Sequence, residues 1–277
     1  MKVYYRISNP GKNAGTEKQK ISGFDKIKCL QNAILEFGAE NITIIAYSLT
    51  KKFRKQITDL KPPGHSNDVE NIPTYDLRII DVKNGNGSET FRKALDMAID
   101  ENKDYDNVYL LEDDFLHKPG AKQALIEACD EYEQYVTCYD HEDKYINKEQ
   151  GGNPYIQNGG EVTRVMRTAS THWKITNSTV MTFATKVGRL KLDYDVWQEY
   201  SKDKITDSFR AFIALNQRNI GCVSCIPGLS THCETAWLSP FTDWTSNVWF
   251  NSQTVKPLKP TRDADYYEKF TNMYQIP

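Results

Sequence analysis

The sequence predicts an α/β fold built on a mostly parallel sheet with helices on its faces. Three observations lead there. Strand-like and helix-like segments alternate from Val3 to Asp114. Turn chemistry (Asn-Pro-Gly at 9–11, Asn-Gly-Asn-Gly-Ser at 84–88) follows two of the strands. A strand of buried composition, Asn107 to Leu111, runs straight into three consecutive carboxylates, Glu112-Asp113-Asp114.

Val3 to Ser8 (VYYRIS) is β-branched and aromatic and reads as the first strand. Ser22 to Asp25 has capping-box spacing, Ile27, Leu30, Ile34 and Phe37 recur at helical spacing, and Gly38 closes the helix. Asn41 to Ser48 is the second strand. Lys61 to Pro73 holds three prolines and is loop. Leu77 to Val82 is the third strand. Phe91, Leu95, Ala98 and Ile99 mark a helix that Ser88 can cap. Asn107 to Leu111 is the fourth strand.

The second half is less regular. It predicts a helix over 119–132, a strand over 135–139 and a mobile Gly/Asn/Gln-rich loop over 146–160. Strands follow near 162–168 and 178–184, then a helix after Thr206-Asp207 carrying Phe209, Phe212 and Ile213. One domain over 1–245 is expected, split into a nucleotide-binding half (1–114) and an acceptor-binding half (115–245). Residues 246–277 are expected to wrap over it as an arm.

The chain has 277 residues, enough for a sizeable core, and a formal net charge of −2. That balance argues against a partner held mainly through a nucleic-acid backbone or an anionic membrane. No apolar run approaches the ~20 residues of a membrane span. The opening MKVYYRISNPGKN has no apolar leader core, so a cytoplasmic protein of a bacterium or an infected host cell is expected. Six cysteines are too sparse for a disulfide scaffold. Cys222-x-x-Cys225 with His232-Cys233 suggests zinc, but the segment reads as a strand, where residues three apart point to opposite faces, so core thiols are favoured. The Asn-x-Ser/Thr triplets at Asn41, Asn86 and Asn177 carry meaning only in a secreted chain.

Three carboxylates at the end of a buried strand repel one another and call for a compensating cation. Hard oxygen donors suit Mg²⁺ or Mn²⁺. The bland alternative is a solvated acidic turn. Open α/β sheets bind ligands at the carboxyl ends of their strands, and both the 84–88 turn and the acidic triplet fall there.

The segment LLEDDFL at 110–116 resembles the EDD form of the DxD motif of GT-A glycosyltransferases, in particular a family-2-like bacterial or viral subgroup. YDHEDKY at 139–145, THWKITNSTVMTFA at 171–184 and STHCETAWLSPFTDW at 230–244 strengthen that resemblance. It implies a GT-A fold, a nucleotide-sugar donor, Mn²⁺ or Mg²⁺, and sugar transfer to an acceptor hydroxyl. It implies Asp114 as direct metal ligand, Glu112 near the ribose or the metal, Asp113 on the donor side, and His232 as a late metal or diphosphate contact. It also places the nucleotide over Ser8, Tyr47 and the turn carrying Asn84, Asn86 and Ser88, with Arg6 reaching the diphosphate or serving as a strand-face charge. Relatives of this kind often carry an acid at the end of strand two. Ala46-Tyr47-Ser48 has none, which puts a uridine base in doubt.

Asp207 is the candidate base of an inverting transfer, with helix capping as the alternative. Trp173, His172, Trp237 and Asp243 are candidates for stacking on or bonding to the acceptor, against core packing. The expected acceptor is a glycan or lipid-linked saccharide. The rivals are the same fold acting on a modified base of phage DNA, a nucleotidyltransferase, and a non-catalytic sugar-binding module. A nucleotidyltransferase needs a glycine-rich basic loop near residue 10, of which Asn9-Pro10-Gly11-Lys12-Asn13 is a poor version.

Overall fold

The structure, a computed structural model, describes residues 1–9, 19–62, 74–83 and 86–245. The predicted arm over 246–277 lies outside the described residues, as does Asn84.

Eleven strands and seven α-helices are described. They run β1 (Lys2–Ser8), α1 (Lys26–Phe37), β2 (Ile42–Tyr47), α2 (Lys51–Thr58), β3 (Arg78–Val82), α3 (Gly87–Glu101) and β4 (Asn107–Glu112). There follow β5 (Phe115–His117), α4 (Ala121–Tyr132), β6 (Tyr135–Thr137), β7 (Val165–Arg167), β8 (His172–Thr176) and β9 (Phe183–Lys186). The last are α5 (Val187–Leu192), α6 (Tyr194–Tyr200), α7 (Ser208–Gln217), β10 (Cys222–Ile226) and β11 (Ser230–His232). Nine strands form one sheet in the order β3-β2-β1-β4-β9-β6-β10-β8-β7, and β11 and β5 form a separate ribbon.

β1, β2, β3 and β4 are parallel neighbours, so their carboxyl ends share one edge. β9 runs antiparallel to both β4 and β6, and β6 is parallel to β10. The predicted α/β class and the parallel arrangement of the first four strands are therefore present, and one sheet continues into the second half of the chain.

Strand alternation builds a core on each face. Val3, Tyr5 and Ile7 of β1 pack with α1, α2 and α4, while Tyr4 packs with α3. The α3 side holds an aromatic cluster in which Phe183 stacks on Trp197 at 4.9 Å and Tyr135 meets Phe212 edge-on at 5.7 Å. Each such ring removed from water is worth about 2–3 kcal/mol.

Local corrections have local causes. The cap of α1 is Asp25, whose carboxylate accepts from Ile27 N and Lys28 N, rather than Ser22. The cap of α3 is Asn86, accepting from Glu89 N, rather than Ser88. Asp25 stands three residues nearer its helix than Ser22, whereas α3 starts early enough to take Ser88 into its first turn and leave the cap to Asn86. Helix α2 was not predicted, because only Phe53 and Ile57 of its eight residues are buried. Strand β8 was also missed, and the strand predicted over 178–184 begins only at Phe183. Cys222 and Cys225 fall in opposite cores, as strand geometry requires, which removes the zinc knuckle. Among the described residues no helix is long and apolar enough to cross a membrane.

Candidate metal-nucleotide site

The carboxyl ends of β1, β2 and β4 and the start of α3 enclose a cavity of about 250 Å³. Arg6, Ile7, Ser8, Tyr47, Asn86, Gly87, Thr90, Glu112, Asp113 and Asp114 line it. Five residues proposed for the donor side (Arg6, Ser8, Tyr47, Asn86, Asp113) thus meet in one place. Ser88 does not join them. It is fully buried, and its hydroxyl lies 2.9 Å from Thr206 Oγ1.

The three acids of the triplet take three different directions. Glu112, the last residue of β4, sits 3.3 Å from Arg6 and accepts from Thr182 Oγ1 at 3.2 Å. Asp113 turns toward β1, accepting from Ser8 N at 2.8 Å and Lys26 Nζ at 2.7 Å. Burial raises its pKa, against the pull of Lys26. Asp114 turns the other way, toward the ribbon. Mutual repulsion within the triplet is relieved by these separate cations.

The ribbon register explains how Asp114 meets a residue more than a hundred positions away. β11 pairs antiparallel with β5, His232 opposite Phe115 and Ser230 opposite His117. Cys233 N donates to Asp114 O at 2.8 Å, continuing that ladder by one residue. His232 Nε2 then lies 2.8 Å from Asp114 Oδ2, with Glu234 Oε2 3.7 Å from His232 Nδ1. One ligand atom from each of Asp114, His232 and Glu234 lies within 4.8 Å of the other two. Among the described residues this is the one group of three such donors.

Burial alone would raise Asp114 and lower His232. Their contact reverses both: His232, with Lys20, holds Asp114 well below the usual carboxylate range, and Asp114 lifts His232 above the usual imidazole range. Two carboxylates and an imidazole make a hard, mixed O/N donor set that fits Mg²⁺ or Mn²⁺.

Glu112 is therefore displaced from the predicted metal set by Glu234. The signal for Glu234 was present as His232-x-Glu234 in an extended segment, where residues two apart face the same side. Lys20 and Lys26, which neutralise the acids, carried no sequence signal of their own.

The aromatic candidates separate. Trp173 is fully buried, with Nε1 donating to Thr168 Oγ1 at 3.1 Å, so it is core and not a sugar platform. Its polar neighbours misled because Lys174 is buried too, through an ion pair. His172 is exposed on β8 and is not among the described residues that line the cavity. Asp243 is exposed and accepts from Thr245 N at 3.0 Å. Trp237 is half-buried, 5.3 Å from the His141 ring, which is in turn 4.8 Å from Tyr139. Tyr139 meets the His232 ring at 6.4 Å.

Asp207 caps α7, its Oδ1 accepting from Arg210 N at 3.0 Å, while Oδ2 reaches only Arg210 Nε at 4.0 Å. Through the Thr206–Ser88 contact the start of α7 abuts the start of α3, one wall of the cavity.

No family model and no curated protein sequence matches the chain. Among solved structures, the chain is similar to an inositol-1-phosphate CTP transferase from T. maritima, with 11% identity over 84% of this chain and 89% of that one, at a TM-score of 0.44. It is also similar to a nucleotidyl transferase from Methanothermobacter (8% identity, 81% and 88% covered, TM-score 0.39). A third is CMP:2-keto-3-deoxy-manno-octonic acid synthetase complexed with CTP (9% identity, 82% and 91% covered, TM-score 0.40). These are loose likenesses of chain path, and the α/β assignment rests on the chain's own strand order.

Proposed function

We propose that the protein is a divalent-metal-dependent transferase acting on a nucleotide-activated sugar. In its finer form the reaction moves a sugar from a nucleotide-diphosphate donor to an acceptor hydroxyl. One observation carries this: Asp114 belongs both to the lining of the cavity at the ends of the parallel strands and to the Asp114–His232–Glu234 cluster. A nucleotide in that cavity would direct its phosphates toward the cluster.

Asp114, His232 and Glu234 would hold Mn²⁺ or Mg²⁺, which supplies charge neutralisation of a departing diphosphate. The chain's own groups do the rest. Tyr47 offers a ring to the base. Asp113 fixes the end of β1 through Ser8 N, and Arg6 fixes Glu112. Trp237, half-buried and packed against His141, offers an aromatic face for the acceptor. Asp207 is proposed as the base, since one carboxylate oxygen caps the helix and the other is left to accept a proton from the attacking hydroxyl. That assignment makes the transfer inverting. The acceptor class, a glycan or lipid-linked saccharide, rests on the resemblance of the sequence motifs.

A second reading, nucleotidyl transfer, has support of its own, because the names of the three similar structures correspond to it rather than to sugar transfer. It uses the same acids and metal but breaks a phosphoanhydride of a nucleoside triphosphate. The two separate by product. Incubation with Mn²⁺ and a panel of nucleotide sugars should release nucleoside diphosphate. Incubation with nucleoside triphosphates and sugar phosphates would instead release pyrophosphate. Pyrophosphate without any nucleoside diphosphate would replace the first reading by the second.

A further inference from the structure

The Asp114–Glu234 pair already holds a cation of the chain's own. Lys20 Nζ lies 2.7 Å from Asp114 Oδ2, the same oxygen that His232 Nε2 meets at 2.8 Å, and 3.5 Å from Glu234 Oε1. Its ammonium thus stands among the donor atoms that would take a metal. The backbone beneath it is fixed. Residues 19–21 lie antiparallel on 233–235, with Lys20 bridged to Glu234, Ile21 N donating to Cys233 O at 3.2 Å and Thr235 N to Gln19 O at 2.8 Å. Only the four-carbon stem can swing. A second resting place is near, since Nζ already lies 5.4 Å from the centre of the Phe24 ring.

We propose that Lys20 is the built-in counter-cation of this cluster, holding it in the ion-free protein and leaving it when a divalent cation binds. The inference rests on the metal reading of the cluster. An ammonium 2.7 Å from Asp114 Oδ2 repels a divalent ion brought to the same carboxylate, so the two cations compete for it. The resident ammonium keeps two buried carboxylates from repelling each other and the fold stays intact without metal. The cost is a weaker apparent affinity for metal, because each ion must displace it. Once released, the ammonium remains tethered within reach of the Phe24 ring.

The test uses Mn²⁺ alone, titrated calorimetrically into the wild-type chain, Lys20→Met and Lys20→Arg. Met keeps the stem and removes the competing charge, so Mn²⁺ should bind about tenfold more tightly. Arg keeps the charge and should bind Mn²⁺ no more tightly than wild type. A second measurement needs no variant. Acetylation of Lys20 by acetic anhydride, followed by peptide mass spectrometry, should speed up when Mn²⁺ is added, because the ammonium leaves its pocket of carboxylates. Equal or weaker Mn²⁺ binding by Lys20→Met, or Lys20 acetylation slowed or unchanged by Mn²⁺, overturns the exchange while leaving the metal site standing. Absence of Mn²⁺ binding in wild type and Lys20→Met alike overturns the metal reading and this inference together.

Discussion

The N-terminal and C-terminal halves place their charges in opposite ways. In the N-terminal half, charged groups gather at strand ends beside a cavity, where Glu112, Asp113 and Asp114 each find a separate cation. In the C-terminal half, charges are buried to hold an irregular stretch of chain. Lys174 and Asp140, both nearly inaccessible, lie 2.9 Å apart, and Tyr145 OH donates to Asp140 and accepts from Lys174. Lys144, also buried, donates to Asn177 and Ser178. Glu161 accepts from Asn177 N and Thr176 Oγ1. The strand-edge pairs border a cavity that a ligand can enter, whereas the pairs of the buried network set chain path. The first arrangement points to function and the second to architecture.

That contrast predicts which substitutions cost activity and which cost folding. The largest expected effect is on activity. Asp114→Asn keeps shape but removes the charge at the centre of the cluster. Mn²⁺-dependent nucleotide binding should disappear and turnover fall by about 10³-fold or more, and the melting temperature should drop as well, because Lys20 and His232 lose their shared carboxylate. Mn²⁺ titration of the mutant checks this, and unchanged binding would return the cluster to a purely structural role.

Next comes Asp207. Asn caps a helix about as well as Asp, so Asp207→Asn should shift stability by less than about 0.5 kcal/mol. It cannot take a proton, and transfer should fall by roughly 10²–10⁴. Asp207→Ala should lose the cap as well, about 1 kcal/mol. Normal turnover in Asp207→Asn would leave Asp207 as a cap alone and shift attention to Asp143 and Glu234.

Lys174→Met tests the other half. It leaves the Asp140 carboxylate buried without its cation, which typically costs about 3–5 kcal/mol. Chemical denaturation should show that loss, while Mn²⁺ affinity of the folded fraction stays as in wild type. Loss of Mn²⁺ affinity without loss of stability would mean that the buried network serves the site after all.

How much was legible follows the same divide. Period-two and period-3.6 patterns revealed β1 to β4, α1 and α3, because those elements bury one face each, and Gly38, at φ 85°, marked the end of α1. The acidic triplet was legible because carboxylates rarely end a buried strand. Tertiary pairing was not. Trp173 looked exposed because Lys174 beside it looked solvated, and nothing in the local sequence says that Asp140 will neutralise it. Likewise the loop predicted as mobile over 146–160 contains Asn153, buried and bonded to Asn177, a contact made 24 residues away. Glu234 was hidden for a different reason: its partner Asp114 reaches it only through the β5–β11 register.

The smallest predicted effect separates the two halves by pH. His117 ends β5 and is buried, its Nε2 3.0 Å from Tyr109 OH and its ring edge-on to Phe37 at 5.1 Å. Burial pushes its pKa down to about 3. The unfolded chain takes up this proton near pH 6.5, the folded chain only near pH 3. Between those values the unfolded state binds more protons, so acid favours unfolding and stability rises with pH until it levels above about 6.5. The slope due to this one group approaches about 1.4 kcal/mol per pH unit in the middle of the window. His117→Phe keeps a ring of similar shape and removes the titration. It should lower stability at neutral pH by about 1 kcal/mol, because Tyr109 OH loses its partner. The decisive quantity is the slope. Between pH 4 and 6, denaturant midpoints of His117→Phe should fall less steeply with acid than those of wild type. Parallel profiles would mean that the acid sensitivity of the fold comes from the carboxylates of the strand-end cluster instead, and that the ribbon carrying Asp114 and His232 is indifferent to the protonation of its buried neighbour.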